Sequence, residues 1–297
     1  MAGCHAAQDQ LDRLGIAAIA AFGRVPGTYC IERVADPETS VSIIIPTRGG
    51  SGLVWGARRC FVVEAVASVL ARTRLPLLQI GVVYDVDTPA DVLERLRDLA
   101  GDRLLPVPFA EPFNFSAKCN AGFAASSGDV VVLLNDDVQA ITDGFLEQLV
   151  APQTEPGVGM KGARLLFADG RLQHGGHSYE NGHMGHAFHM ALRDDSGAFA
   201  ALWVNRECSG LTAACVALRR ETYDDVGGLC EEPPGNFNDV DFSFKLRHTS
   251  RRLLWLADVE LYHFDHNPGN GLCTTGNATG LPTGGPFPAA APFLPGL

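Results

Sequence analysis

The stretch that most constrains this chain is residues 130–137, Val-Val-Val-Leu-Leu-Asn-Asp-Asp, where five apolar side chains end in an amide and two carboxylates. Flanked by the turn residues Gly128 and Asp129, the apolar run reads as a strand buried on both faces. A buried strand ending in acids delivers them to the rim of a sheet, where open α/β folds bind ligands. Two adjacent carboxylates repel each other there, and a divalent cation relieves the repulsion. The stretch therefore predicts a metal site that holds a diphosphate.

With 297 residues and 46% hydrophobic content, the chain can bury a sizeable core in one large domain or two small ones. A formal net charge of −11 and a pI of about 5.2 argue against nucleic acid as a partner. No apolar run reaches the roughly 18 residues that a membrane span needs, so no transmembrane segment is expected. The Ala-rich Ile16–Phe22 segment is short and lacks a basic region before it, which does not fit a secretory leader. Eight cysteines at wide spacing, with no C-x-x-C pair, read as reduced thiols rather than a disulfide framework. A cytoplasmic protein is expected, at most peripheral to the inner face of a membrane.

Residues 1–40 form an N-terminal extension, with a short helix expected near Gln8–Phe22 and loops at Pro26 and Pro37. Val41–Ile45 is a β-branched run stopped by Pro46, hence a core strand, followed by a flexible Thr47-Arg48-Gly49-Gly50 loop. Apolar residues at helical spacing predict a helix over 57–71. Gln79–Tyr84 is a second strand. A helix then follows, capped by Asp87 or Thr88, with Val92, Leu93, Leu96 and Leu99 on its buried face. Strands at 103–107 and 130–134 follow, separated by a helix that Ser116 caps, and a further helix covers 142–150. Strands alternating with helices at this spacing mean an α/β fold with a mostly parallel, doubly wound sheet. In the second half, strands are expected at 158–167, 211–218, 253–256 and 259–262, with helices at 221–226 and 238–248. From Gly269 the chain is Gly, Pro, Thr and Ala with almost no charge, a composition expected to be disordered.

Carboxylates gather at three element ends: Asp85 and Asp87, Asp136 and Asp137, Asp239 and Asp241. Helix capping accounts for Asp87 as well as ligand contact does. Asp239 and Asp241 fit the first turn of a helix capped by Asn238, where the dipole favours acids. That leaves unexplained the Pro233-Pro-Gly-Asn236 segment, which would hold the helix start in an exposed loop where a carboxylate can act as general base. Asp136 and Asp137 are harder to explain structurally, because charge directly after a core strand is costly without a partner. Five of the nine histidines fall at His174, His177, His183, His186 and His189. Such density suggests zinc, but the spacing mixes three and six residues and no cysteine joins them. His263 ends a predicted strand, as Asp137 does. A neutral imidazole and a carboxylate together suit Mn²⁺ or Mg²⁺ on phosphate oxygens.

These residues, taken in order, resemble family 2 glycosyltransferases of the GT-A fold, and most of all the bacterial rhamnosyltransferase-like branch. The resemblance rests on Val41-Ser-Ile-Ile-Ile-Pro-Thr-Arg48, Phe113-Asn-Phe-Ser116 with Asn120, and Leu134-Asn-Asp-Asp137. It continues through Gly162-Ala-Arg-Leu-Leu-Phe-Ala-Asp-Gly-Arg-Leu-Gln-His174, Thr212-Ala-Ala-Cys215, Phe237-Asn-Asp-Val-Asp241 and Leu261-Tyr-His263. It implies one GT-A domain over residues 41–268, between the extension and the tail. By resemblance, Thr47, Arg48, Asp85, Asp87 and Asn120 line the nucleotide pocket, Asp136 lies near the ribose, and Asp137 and His263 hold Mn²⁺ or Mg²⁺. Asp239 matches the family's general base. His174 and His186 fall where this branch has histidines, which argues against a dedicated zinc site. The run Tyr84-Asp-Val-Asp-Thr88 departs from the usual pattern, so which acid meets the base stays open. Asn238 stands where many relatives carry Glu. No Gln-x-x-Arg-Trp motif of processive synthases is present.

The resemblance thus implies inverting, non-processive transfer from a UDP-, dTDP- or GDP-linked sugar to a glycan or lipid-linked acceptor. A sugar nucleotidyltransferase would want a more basic Gly-rich loop than Thr47–Gly52 supplies. A degenerate carbohydrate-binding relative is the non-enzymatic alternative.

Overall fold

The structure, a computed structural model, describes residues 1–180, 183–232 and 237–264. The Gly/Pro tail and the Pro233–Asn236 segment singled out above lie outside the described residues.

The extension is more ordered than its sequence suggests. Helix α1 (Ala2–Leu14) packs on a hairpin of β1 (Ala18–Phe22) and β2 (Tyr29–Arg33). The helix therefore comes earlier than expected, and Ile16–Phe22 is largely strand. Gly15, at φ 66°, ends the helix with a left-handed cap that reverses the chain.

Strand β3 (Val41–Thr47) is buried along its full length. A short hairpin, β4 (Ser51–Val54) and β5 (Ala57–Cys60), then precedes α2 (Phe61–Arg72). β6 (Leu78–Asp85), α3 (Ala90–Ala100), β7 (Leu104–Phe109), α4 (Phe115–Ala125) and β8 (Val130–Leu134) complete the alternating half. Two capping expectations change. Asn114, not Ser116, caps α4 by accepting the Ala117 N–H at 3.1 Å, while Ser116 is a buried first-turn residue. α3 begins after Pro89 without a side-chain cap, and Leu99 on its outer face is exposed.

The second half adds β9 (Val138–Ala140), α5 (Phe145–Val150), β10 (Val158–Leu166), β11 (Leu172–His174) and a hairpin of β12 (His177–Glu180) and β13 (His183–His186). After β14 (Arg206–Glu207) come β15 (Cys215–Arg219), α6 (Arg220–Asp225), α7 (Asn238–His248) and β16 (Arg252–His263). The two strands expected at 253–262 are one twelve-residue strand, because its register shifts against β10 instead of breaking.

Among the described residues the main sheet runs β14-β16-β10-β15-β8-β3-β6-β7. β8, β3, β6 and β7 are parallel, as are β10 and β16, while β15 enters antiparallel between β8 and β10. Alternate residues of β3 and β8 point to opposite faces. Ile43, Ile45, Val130, Val132 and Leu134 join α2, α3 and α5 in one core. Ile44, Val131 and Leu133 join Cys119 of α4, Tyr223 of α6 and Phe242 of α7 in the other. Both faces are covered, which is why β8 has no polar position. α4 sits so close that a Cβ on Gly122 would lie 2.5 Å from Ile44. No helix among the described residues is long and apolar enough to cross a membrane.

Candidate active site

The strand order carries β8, β3 and β6 to one edge, where their last residues meet. The Thr47 hydroxyl donates to Asp136 Oδ2 at 2.5 Å, joining the ends of β3 and β8. The carboxyl of Asp136 is pushed up to about 6, first by burial and then by the neighbouring charge of Asp137.

Asp137 and His263 meet through backbone register. After Asp137 the chain turns into β9, which pairs antiparallel with the end of β16 so that Val138 lies opposite His263. The Phe264 N–H donates to the Asp137 carbonyl at 3.0 Å. His263 Nε2 consequently lies 3.1 Å from Asp137 Oδ1 and 3.1 Å from Asn135 Nδ2. Its Nδ1 is 2.6 Å from Gln173 Oε1, an oxygen that can only accept. Nδ1–H therefore donates to Gln173, which orients the ring so that Nε2 faces Asn135 and Asp137. Histidine ligands of metals are held this way, with the far N–H bonded to an oxygen. The donor set, a carboxylate and an imidazole nitrogen beside a second carboxylate that resists ionising, fits a divalent cation.

Asp85, at the end of β6, forms an ion pair with Lys118 Nζ, which also donates to the Thr47 carbonyl at 2.6 Å. The Lys118 side chain is fully buried and lies beside the rings of Phe109 and Phe113. Burial lowers its pKa, against the pull of Asp85. Arg48 is mostly exposed, stacked 4.1 Å over the Phe113 ring and 4.0 Å from Asp85. Asp87 is exposed in the following turn. Of the two acids, the structure places Asp85 on the shared rim.

Asn120 is a brace. Its Oδ1 accepts from the Tyr223 hydroxyl (2.6 Å) and the Leu229 N–H (3.1 Å), and its Nδ2 donates to Leu229 O (2.9 Å) and Glu231 Oε1 (2.8 Å). Both ends of the amide are engaged within the protein. It ties α4 to the segment before α7.

On α7 the two acids separate. Asp241 pairs with Lys245 at 3.0 Å, one turn on, as a first-turn helical acid does. Asp239 faces inward: Oδ1 accepts the Val240 N–H at 2.8 Å and Oδ2 lies 3.7 Å from His177 Nε2. The helix starts at Asn238, not after it. Phe237 precedes it at φ 64°, a backbone conformation that bulky residues seldom adopt.

Between Asp239 and His263 lie His177, His174 and His186, with ring centroids 4.9–5.4 Å apart. His174 adjoins Gln173, the partner of His263. A continuous row of polar side chains thus links the candidate base to the candidate metal pair. Sequence reasoning missed Lys118 and Gln173, and weighed His177 only as one of the clustered histidines. Gln173 lay inside a motif already in view, but nothing marked Lys118, the one charged residue of a helix of small and apolar side chains, as buried.

A profile of the glycosyl transferase family 2 matches residues 42–227. The chain belongs to that family. It is 35% identical over 269 residues to the uncharacterised protein y4gI of Sinorhizobium fredii (strain NBRC 101917 / NGR234), a match covering 89% of this chain and 29% of y4gI. It is 28% identical over 268 residues to the O-antigen biosynthesis protein RfbC of Myxococcus xanthus, covering 89% of this chain and 20% of RfbC. The chain thus spans less than a third of the length of either. Among solved structures, GalNAc-T7 with UDP, GalNAc and Mn²⁺ superposes with a TM-score of 0.61 at 14% identity, over 78% of this chain and 44% of that one. The mannosyltransferase PcManGT of Pyrobaculum calidifontis, with GDP-Man and Mn²⁺, superposes with 0.56 at 16% identity, over 80% and 60%. The fold is therefore GT-A.

Proposed function

We propose that this chain catalyses inverting, metal-dependent, non-processive transfer of a sugar from a nucleoside diphosphate to a hydroxyl of a glycan or lipid-linked acceptor, in building a cell-surface or secreted glycan. The observation that carries the reading is the 3.1 Å approach of Asp137 to His263, with Asp136 beside them. Residues far apart in the chain form a divalent-cation donor set at the edge where α/β sheets bind nucleotides. The company of Mn²⁺ and a nucleotide or nucleotide sugar in both solved neighbours supports it, as does the role in O-antigen biosynthesis named for RfbC.

Asp137 and His263 would hold Mn²⁺ or Mg²⁺. When bound, the cation offsets negative charge on the departing diphosphate. Asp136 and Thr47 face the ribose, and Asp85 with Arg48 borders the base, while Lys118 keeps Asp85 in place. Asp239 takes the proton of the acceptor hydroxyl as its oxygen attacks the anomeric carbon opposite the diphosphate.

A thermal-shift screen of UDP-, dTDP- and GDP-sugars, each with and without Mn²⁺, tests the donor site. One nucleotide class should raise the melting temperature only when Mn²⁺ is present, and Asp137→Asn should remove the effect. The proposal is abandoned if no donor shifts the wild-type protein in either condition.

A further inference from the structure

Three of the five clustered histidines converge: His174, His177 and His186 each bring a ring nitrogen within 4.8 Å of the others. A zinc site is the first chemistry to weigh, and the hydrogen bonds speak against it. The Thr212 N–H donates to His174 Nε2 at 3.3 Å, so the proton of neutral His174 sits on Nδ1. That proton points at His186 Nδ1, 2.6 Å away. The two facing nitrogens share a proton and are not a pair of free lone pairs, so His174 and His186 form a hydrogen-bonded pair.

His177 is different. Its side chain is fully buried, its Nε2 has no hydrogen-bond partner, and the nearest acid is Asp239, with Oδ2 at 3.7 Å. Its Nδ1 lies 3.2 Å from the Tyr179 hydroxyl. Burial, and then Asp239, push the Tyr179 pKa up, so the phenol keeps its proton. A carboxylate before Nε2 selects the tautomer with the proton on Nε2, and the Tyr179 O–H then donates to Nδ1. The surroundings are shaped for this order. The His177 N–H donates to the Gly210 carbonyl, and a Cβ on Gly210 would lie 2.4 Å from the Tyr179 oxygen and 2.7 Å from His177 Nδ1.

We propose that His177, held in one tautomer by Tyr179, is a positioning residue for Asp239, presenting Nε2–H to the carboxylate so that it stays ionised and aimed at the acceptor hydroxyl. The proposal rests on the reading of Asp239 as base. The gap of 3.7 Å is longer than a hydrogen bond. Catalytic hydrogen bonds are commonly long before substrate binds and close as the carboxylate takes up its working rotamer. Without the donor, Asp239 would keep the Val240 N–H on Oδ1 but lose the polar group facing Oδ2, which disfavours its charged form.

The test follows Asp239 itself, by carboxyl ¹³C NMR against pH, in the wild type and in His177→Phe, His177→Gln and Tyr179→Phe. His177→Phe should raise the Asp239 pKa by about one unit or more. His177→Gln, which keeps an N–H donor, should stay near the wild type, and Tyr179→Phe should shift in the same direction by less. Nucleoside diphosphate release from the donor found by thermal shift, with water as acceptor, supplies the second reading. His177→Phe should lower kcat by about 10- to 100-fold, part of what a positioned base supplies, and leave the donor KM within about twofold. An unchanged Asp239 pKa in His177→Phe overturns the proposal. If that variant does not fold, an Asp239 pKa in Tyr179→Phe equal to wild type overturns it instead. Failure of the base assignment shows separately, as near-wild-type turnover in Asp239→Asn.

Discussion

At the scale of single residues, the site is a set of carboxylates in environments that differ. Asp239 faces a donor across a short gap, and Asp239→Asn should cut turnover by about 10²–10⁴-fold with donor affinity kept, as read by steady-state kinetics beside a binding titration. Asp136 is the strained member, with a pKa raised to about 6 by burial and by Asp137. A folded carboxylic acid with a raised pKa binds its proton more tightly than the unfolded chain does, so its ionisation costs stability at higher pH. Asp136→Asn should therefore stabilise the metal-free protein at pH 7.5, by on the order of 2 kcal/mol. The gain should vanish as pH falls through the window from about 6 to about 4, and donor binding should be lost throughout. Urea titrations at several pH values measure it, and a variant no more stable than wild type at pH 7.5 would contradict the assignment.

At the scale of elements, α4 does the organising. It packs over the second face of the sheet, and its polar residues each reach a different part of the site. Lys118 holds the ends of β3 and β6, and Asn114 and Asn120 hold the segment leading to α7. Removing one partner of a buried ion pair leaves the other uncompensated. Lys118→Met should therefore cost about 3 kcal/mol, the low end of such losses because Asp85 keeps some contact with water. Adding Asp85→Asn should restore part of it. Chemical denaturation of the two single variants and the double variant measures the coupling, and simple additivity would rule out the pair as a unit.

At the scale of the molecule, the sheet is continuous from the β7–β6 side to the β10–β16 side, and among the described residues its interior holds a conspicuous polar misfit. Lys161 on β10 is fully buried, and its Nζ has no hydrogen-bond partner. Burial holds its pKa well below the ordinary lysine value, so folding disfavours the protonated form that the unfolded chain carries. Lys161→Met fills a similar volume without an orphaned donor, and should raise stability by about 1–3 kcal/mol at neutral pH. The gain should shrink as pH rises toward about 10.4, where the unfolded lysine also loses its proton. Thermal melts at pH 7 and pH 10 would show it.

Local pattern determined much of this protein. An apolar run ending in acids set β8 to the residue, a β-branched run set β3, and Asn238 with two first-turn acids set the start of α7, since these elements depend on side chains near in sequence. The ordered motifs were enough to recognise a family 2 glycosyltransferase. Tertiary structure alone decided what surrounds each acid. His263 reaches Asp137 only because β9 pairs with β16 in one register. Asp85 differs from Asp87 because Lys118 comes across from another helix. Asp239 differs from Asp241 because α7 turns one toward His177 and the other toward Lys245. Hydrogen bonds and desolvation act between groups brought together by the whole fold, and the distance along the chain carries no record of them.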